Sequence, residues 1–206
     1  MDPDWLTCLA CAPHATARLN EDPALAARWI ALPRRRLSPG QCLHPAGQPV
    51  RASWFVEEGL VRSVVRDTRG RERNTGFHAE CSWIGAGVPP YPAVSVAGIE
   101  AIEASRVVEL GHGELQAWLA EMSAVGDMLA DALRFAFARQ AAREAELLLL
   151  TATQRYQAFV SNQPALAARL PQHQLAIYLG VTDVGLSRIR ARLGLTPAGR
   201  ARRGAG

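Results

Sequence analysis

The sequence predicts an α+β protein: an N-terminal antiparallel β-roll of jelly-roll type, a long dimerisation helix, and a C-terminal helix-turn-helix domain. Three observations carry this. Between Arg34 and Leu110, short β-rich runs alternate with glycine-containing turns about every eight to twelve residues, the texture of a sandwich or barrel. From Ser123 to Leu150, apolar residues recur at spacings of three, four and seven. From 171 to 193, two short amphipathic segments flank Gly180, and the second carries Arg on its outer side.

Composition bounds the rest. The chain has 206 residues, 49% hydrophobic and 20% charged, which excludes a disordered polymer. All 23 basic residues are Arg, and the formal net charge is +4. The distribution says more than the total. Residues 151–206 hold eight Arg against the single acid Asp183, a local charge of +7, while residues 1–150 carry −3. A basic helical end on a mildly acidic body points to nucleic acid. No apolar run approaches the roughly 18–20 residues of a membrane span. The start Met1-Asp2-Pro3-Asp4 lacks the layout of a signal peptide. The expected location is the cytoplasm, with no membrane partner.

The elements follow in order. Ala24 to Ile30 reads as a short helix stopped by Pro33. Strand-like runs then end at Leu37, Leu43, Val56 and Val65, followed by Asn74–Phe77, Ser82–Ile84, Val94–Val96, Glu100–Glu103 and Arg106–Leu110. Gly59 and Gly70 are turn sites because Gly takes positive φ without strain. Leu115, Trp118 and Leu119 fit a short helix. The long helix carries Leu129, Leu133, Ala136, Gln140 and Leu147 as its candidate dimerisation stripe. A helix of about 28 residues spans about 42 Å, longer than its own roll requires, so its economical partner is a second copy. The domains are therefore 1–112 (lead-in and roll), 113–150 (short and long helices) and 151–206 (helix-turn-helix with a basic tail).

Within 171–193, Pro171 suits a first helical turn, where its missing N–H costs nothing. Leu175, Ala176 and Leu179 form the buried stripe, and small Ala176 lets the helices approach. Gly180 turns the chain, and Thr182 caps the next helix. Leu186, Ile189 and Leu193 face inward. Asp183, Val184, Ser187, Arg188, Arg190 and Arg192 face outward.

The chain resembles the Crp/Fnr family of bacterial transcription regulators over nearly its whole length. Leu37-Ser38-Pro39-Gly40-Gln41 with Gly47, then Trp54 to Arg62, is similar to the start of the family's cyclic-nucleotide-binding-type roll. Asp67–Arg73 looks like its charged hairpin, and Asn74–His78 and Trp83-Ile84-Gly85 like the strands that follow. The long helix resembles its dimerisation helix, and 172–193 its DNA-reading motif. The resemblance implies a homodimer whose recognition helices enter successive major grooves of a near-palindromic double-stranded site, with RNA polymerase as a further partner. Asp183, Val184, Ser187 and Arg188 would then read base edges. Thr182, Arg190 and Arg192 would hold phosphate. Val184 stands about where relatives carry Glu, which puts their usual target sequences in doubt.

The resemblance also frames the signal. Relatives that bind cyclic AMP hold its ribose with Gly-Glu and its phosphate with Arg-Ser/Thr. Here Gly85 is followed by Ala86, no Arg occurs between Arg73 and Arg106, and Gln140-Ala141 stand about where hydroxyls meet the adenine. A buried cyclic phosphate without a cation is costly. Cyclic AMP is therefore not the expected effector. The pocket lined by Trp83, Gly85, Tyr91, Val94 and Gln140 either takes another small molecule or is filled by its own side chains and senses nothing. The rival reading is an effector- or redox-sensing interaction module, with a thiol pair or iron–sulfur cluster at Cys8/Cys11 and a helical end that binds protein. The Fnr branch places cluster ligands near there but uses four thiolates, and this N-terminal set is one Cys short. Cys42 and Cys81 read as core thiols. His14, His44, His78, His112 and His173 show no metal-ligand spacing. Neither a nucleophile elbow nor a phosphate loop occurs, so no enzyme, metal site or resident cofactor is expected. Beyond Thr196-Pro197 the tail is short for a β-wing and reads either as a basic arm over phosphates or as a simple solubilising terminus.

Overall fold

The computed structural model describes residues 22–85 and 87–195. The chain divides into two compact units, Met1–Leu148 and Leu149–Gly206.

Among the described residues, the first unit begins with α1 (Pro23–Ala31). Asp22 caps it by accepting from the Ala24 and Leu25 N–H groups at 2.9 and 3.1 Å, and Pro at the first turn suits the start. Ten strands follow: β1 (Arg34–Leu37), β2 (Cys42–His44), β3 (Pro49–Val50), β4 (Ala52–Glu58), β5 (Val61–Arg66), β6 (Glu72–His78), β7 (Trp83–Ile84), β8 (Ala93–Val94), β9 (Gly98–Ala101) and β10 (Ser105–Gly111). They form two four-stranded antiparallel sheets, ordered β1-β10-β4-β7 and β2-β9-β5-β6, with β3 and β8 paired apart. This is the expected jelly-roll arrangement.

Strand β4 shows why the fold closes. Trp54 and Val56 point into the roll, where they meet Leu43, Val61 and Ile99 of the facing sheet. Phe55, between them, points the other way and packs with Leu25, Val108, Leu110 and Trp118. The β1-β10-β4-β7 sheet is thus covered on both faces, which is why Ala52–Val56 is buried without alternation. Outside the sheet, the Trp29, Phe55 and Trp83 rings meet edge-on at 5.3–5.6 Å. Each such pair adds about 0.5–1.5 kcal/mol beyond its buried area.

Two turns needed glycine. Gly59 has φ +97°, and a Cβ there would lie 2.3 Å from Ser105 Oγ and 2.5 Å from the Ala104 carbonyl oxygen. Gly70 (φ +74°) closes the β5–β6 hairpin, where the Asp67 carboxylate accepts from the Arg69 and Arg71 N–H groups, both at 2.9 Å. That hairpin carries an ion cluster: Arg62, only 8% exposed, donates to Glu72 at 2.8 Å, Asn74 at 3.1 Å and Glu100 at 2.6 Å. Arg66 bridges the same two glutamates.

The expected strand at Val94–Val96 is displaced. It is β8, Ala93–Val94, paired with Pro49–Val50. Ser95 Oγ donates to the Ala97 carbonyl at 2.6 Å and turns the chain, so Val96 stands 85% exposed. Two helices complete the unit. In α2 (His112–Glu121), Leu115 and Trp118 pack on the outer sheet face. The long helix α3 (Ser123–Leu149) has 27 residues, about 40 Å.

The second unit is helical: α4 (Ala152–Asn162), α5 (Pro164–Arg169), α6 (Gln172–Leu179) and α7 (Asp183–Arg192). Thr151 and Gln154 form a reciprocal capping box at the start of α4. Tyr156, Phe159, Leu170, Leu175, Leu186 and Ile189 are buried, as are Ala176 and Leu179. Arg155 donates to the Leu150 carbonyl at 2.5 Å and the Leu179 carbonyl at 3.0 Å, so its charge ties α4 to the end of α6.

Candidate nucleic-acid interface and effector cavity

The helix-turn-helix is built by three local devices. Gly180 adopts the left-handed conformation (φ 74°, ψ 28°) at the end of α6, and the Val181 N–H returns to the Ala176 carbonyl at 3.0 Å. Thr182 Oγ1 then accepts from the Gly185 N–H at 3.1 Å, capping α7. A Cβ on Gly185 would sit 3.3 Å from Thr182 Oγ1 and 3.4 Å from Val181 Cβ, so glycine keeps the cap tight. Ala176, 1% exposed, lies under the crossing of α6 and α7.

This geometry anchors α7 by Leu186 and Ile189, with Leu193 half-buried just beyond the helix end. Asp183, Val184, Ser187, Arg188 and Arg192 are exposed and Arg190 is half-buried. Val184 is 61% exposed, a branched apolar side chain held in water. Val184, Ser187 and Arg188 fall at i, i+3 and i+4, on one face. Among the described residues, no salt bridge engages Arg188, Arg190 or Arg192. Thr182 spends a lone pair on the cap and retains its O–H as a donor. Arg155, counted with the basic end, works inside this unit. Arg200, Arg202, Arg203 and the Thr196-Pro197 tail lie outside the described residues.

In the first unit, a cavity of about 150 Å³ lies between the outer face of the β1-β10-β4-β7 sheet and α1, α2 and α3. Its wall includes Trp29, Trp83, Gly85, Trp118, Leu129 and Arg139. Trp83 and Gly85, expected to line a pocket, do so. Tyr91 and Val94 do not: they are 67% and 62% exposed, because β8 pairs at the sheet margin. Gln140 is exposed and absent from the wall, since the next residue along a helix turns about 100°. Ala86 lies outside the described residues.

Arg139 also lines this wall. Its guanidinium lies 3.5 Å from His78 Nδ1, whose Nε2 is 2.8 Å from Ser63 Oγ. Burial, then the Arg139 charge, holds His78 well below the usual histidine range, so the ring is neutral. The signal was available: Arg139 follows Met128, Ala132 and Phe135 at helical spacing on one face. The stretch 74–105 does lack Arg, yet a cation reaches the cavity from the long helix.

The same helix redistributes the candidate dimerisation stripe. Leu129, Leu133 and Ala136 line the cavity of their own chain. Gln140 and Leu147 are exposed, and Phe137 and Leu148 stand 77% and 76% exposed. The helix is apolar on two faces, and periodicity alone does not say which face meets which neighbour.

Among the described residues, no group of three His, Cys, Asp or Glu is arranged to hold a metal, and no helix is long and apolar enough to cross a membrane. Cys8, Cys11 and His14 lie outside them. Cys42 is exposed, and Cys81 takes φ 64° in the cavity wall. Burial, and then the Glu100 charge, pushes the Cys42 thiol up, away from the thiolate a cluster would use.

Comparison with known proteins agrees with this architecture. Residues 34–122 match the cyclic nucleotide-binding domain family. No curated protein matches the chain. Among solved structures, FixK2 from Bradyrhizobium japonicum is 19% identical, with a TM-score of 0.73 over 84% of this chain and 90% of its own. CLP, a c-di-GMP-responsive global regulator from Xanthomonas campestris, is 18% identical, with a TM-score of 0.65 over 84% and 92%. The Thermus thermophilus catabolite activator protein is 22% identical, with a TM-score of 0.53 over 85% of each. Residues 34–122 thus match the cyclic nucleotide-binding domain family, and the chain shares its fold with these solved regulators.

Proposed function

We propose that this protein is a homodimeric, sequence-specific DNA-binding transcription regulator whose β-roll senses a small molecule other than cyclic AMP. The observation that carries the reading is α7, anchored by Leu186 and Ile189, with Val184, Ser187 and Arg188 on one exposed face. Regulators such as CLP and the catabolite activator protein share the fold. Dimerisation is supported by Phe137 and Leu148, large apolar side chains left in water on a helix of 27 residues. Two copies would set two recognition helices about 34 Å apart on a near-palindromic site, positioned for contact with RNA polymerase.

In this reading Arg188 donates two hydrogen bonds to guanine O6 and N7, and Asp183, Val184 and Ser187 read neighbouring base edges. Arg190, Arg192 and Thr182 hold phosphates. Selection from a random-sequence duplex pool tests it. Arg188→Ala should relax preference at one symmetric pair of positions, worth about 1–3 kcal/mol per half-site. Arg192→Ala should weaken all sequences alike and lower the salt slope by about 1 per protomer. An unchanged sequence preference in Arg188→Ala overturns the assignment. Binding without salt dependence overturns the DNA reading.

A further inference from the structure

We propose that Val184 reads the C5-methyl group of a pyrimidine, thymine or 5-methylcytosine, in the major groove, and so fixes one base pair of the operator beside the guanine taken by Arg188. This rests on the regulator reading and names the base chemistry that its recognition face selects. Val184 is the second residue of α7 (Asp183–Arg192), and the N-terminal residues of a recognition helix are those that meet base edges. It is 61% exposed, yet its place is fixed. The Thr182 cap holds the first turn at 3.1 Å, Gly185 lies close against Thr182 and Val181, and Leu186 has no exposed surface. A β-branched side chain in a helix keeps essentially one χ1 rotamer. Val184 is thus a stiff apolar knob on a rigid support, at a place where helix propensity alone favours other residues.

The groove offers one kind of partner to such a knob. A valine side chain has neither donor nor acceptor. Guanine presents N7 and O6 in the major groove, adenine N7 and an amino group, and cytosine an amino group. Each loses water under an apolar side chain and gains no hydrogen bond in return. The C5-methyl of thymine is itself apolar, and covering it takes both surfaces out of water. 5-Methylcytosine carries the same methyl on the same carbon. A carboxylate at this place would accept from the cytosine amino group; valine cannot, so selection passes from the amino group to the methyl. The exposed neighbours Asp183, Ser187 and Arg188 are polar, so the apolar surface of Val184 does not extend into a patch of the size that docks a protein. Spacing also places the base. Val184 and Arg188 are one helical turn apart, with Cβ atoms about 5–6 Å from each other, against about 3.4 Å per base step. The methyl-bearing pyrimidine therefore lies within about two base pairs of the guanine.

The experiment uses the full chain and the tightest duplex selected from a random-sequence pool, with binding read by fluorescence anisotropy at fixed salt. Thymine is replaced by uracil, which removes only the methyl, one symmetric pair of positions at a time. At one pair, within about two base pairs of the guanine, affinity should fall about fourfold per half-site and about fifteenfold for both, the worth of one buried methyl on each. Cytosine and 5-methylcytosine placed at that pair should differ by the same factor in favour of the methylated base. Val184→Ala, a change at an exposed helical position, should cut both ratios to less than about twofold per half-site and keep the guanine preference. Arg192→Ala should weaken every duplex and leave both ratios as they are. A thymine ratio alone assigns the methyl to thymine, and a cytosine ratio alone assigns it to 5-methylcytosine. Absence of both ratios in a sequence-specific binder overturns the inference and leaves the regulator reading standing, as do ratios that persist in Val184→Ala. A pool that yields no preferred sequence overturns the regulator reading, and this inference falls with it.

Discussion

Leu186→Ala separates the stabilities of the two units. Leu186 has no exposed surface and holds α7 onto α6. Truncating a fully buried Leu costs about 2.7–5 kcal/mol, the transfer term plus the residual cavity. The unit that contains it, Leu149–Gly206, has few residues over which to spread that loss. At about 0.05–0.15 kcal/mol per residue, its whole stability is about 3–9 kcal/mol, so this one change removes a third of it or all of it. The sequence supplies two separable probes. All five Trp lie at or before residue 118, in the first unit, and the second unit has Tyr156 and Tyr178 but no Trp. In thermal or urea unfolding, the Trp fluorescence transition of Leu186→Ala should stay at the wild-type midpoint. The helical signal at 222 nm should lose its C-terminal component earlier, and operator binding should fall with it. A Trp transition that moves as far as the helical one would show that the units do not hold separate cores. An unmoved helical transition would show that Leu186 does not carry the packing of α7.

The first unit makes two further tests. Gly59→Ala places a methyl 2.3 Å from Ser105 Oγ at φ +97°; strain and clash together should cost more than about 1 kcal/mol, read as a lower Trp unfolding midpoint, and a wild-type midpoint would refute the close approach. His78 is depressed by burial and by Arg139, so the unfolded chain binds its proton more readily than the folded one. Its contribution to stability is therefore complete above the ordinary histidine value of 6.5 and falls as pH drops below it. His78→Gln should flatten the fall in urea midpoint between pH 7.5 and 5.5, and an equal fall in wild type and variant would remove His78 from the account.

Some of this was legible residue by residue. Gly180 and Thr182 announce the turn and the cap from their types alone, and both perform those roles. Trp83 and Gly85, beside a glycine turn after a strand, stand in the cavity wall. Tyr91 and Val94, close to them in sequence, stand in water. A loop's side chains cannot be sorted by spacing, because loops have no period.

The sequence by itself determined the order of elements, the place where the period changes from two to 3.6, and the concentration of positive charge at the helical end. These follow from local rules: turn chemistry, alternation, caps. The tertiary structure alone decided what met across long separations. It brought Arg139 to His78, 61 residues apart, turned Leu129 and Leu133 toward their own roll, and diverted Arg155 from solvent to two backbone carbonyls. An amphipathic pattern says which residues leave water; only the packed fold says against what.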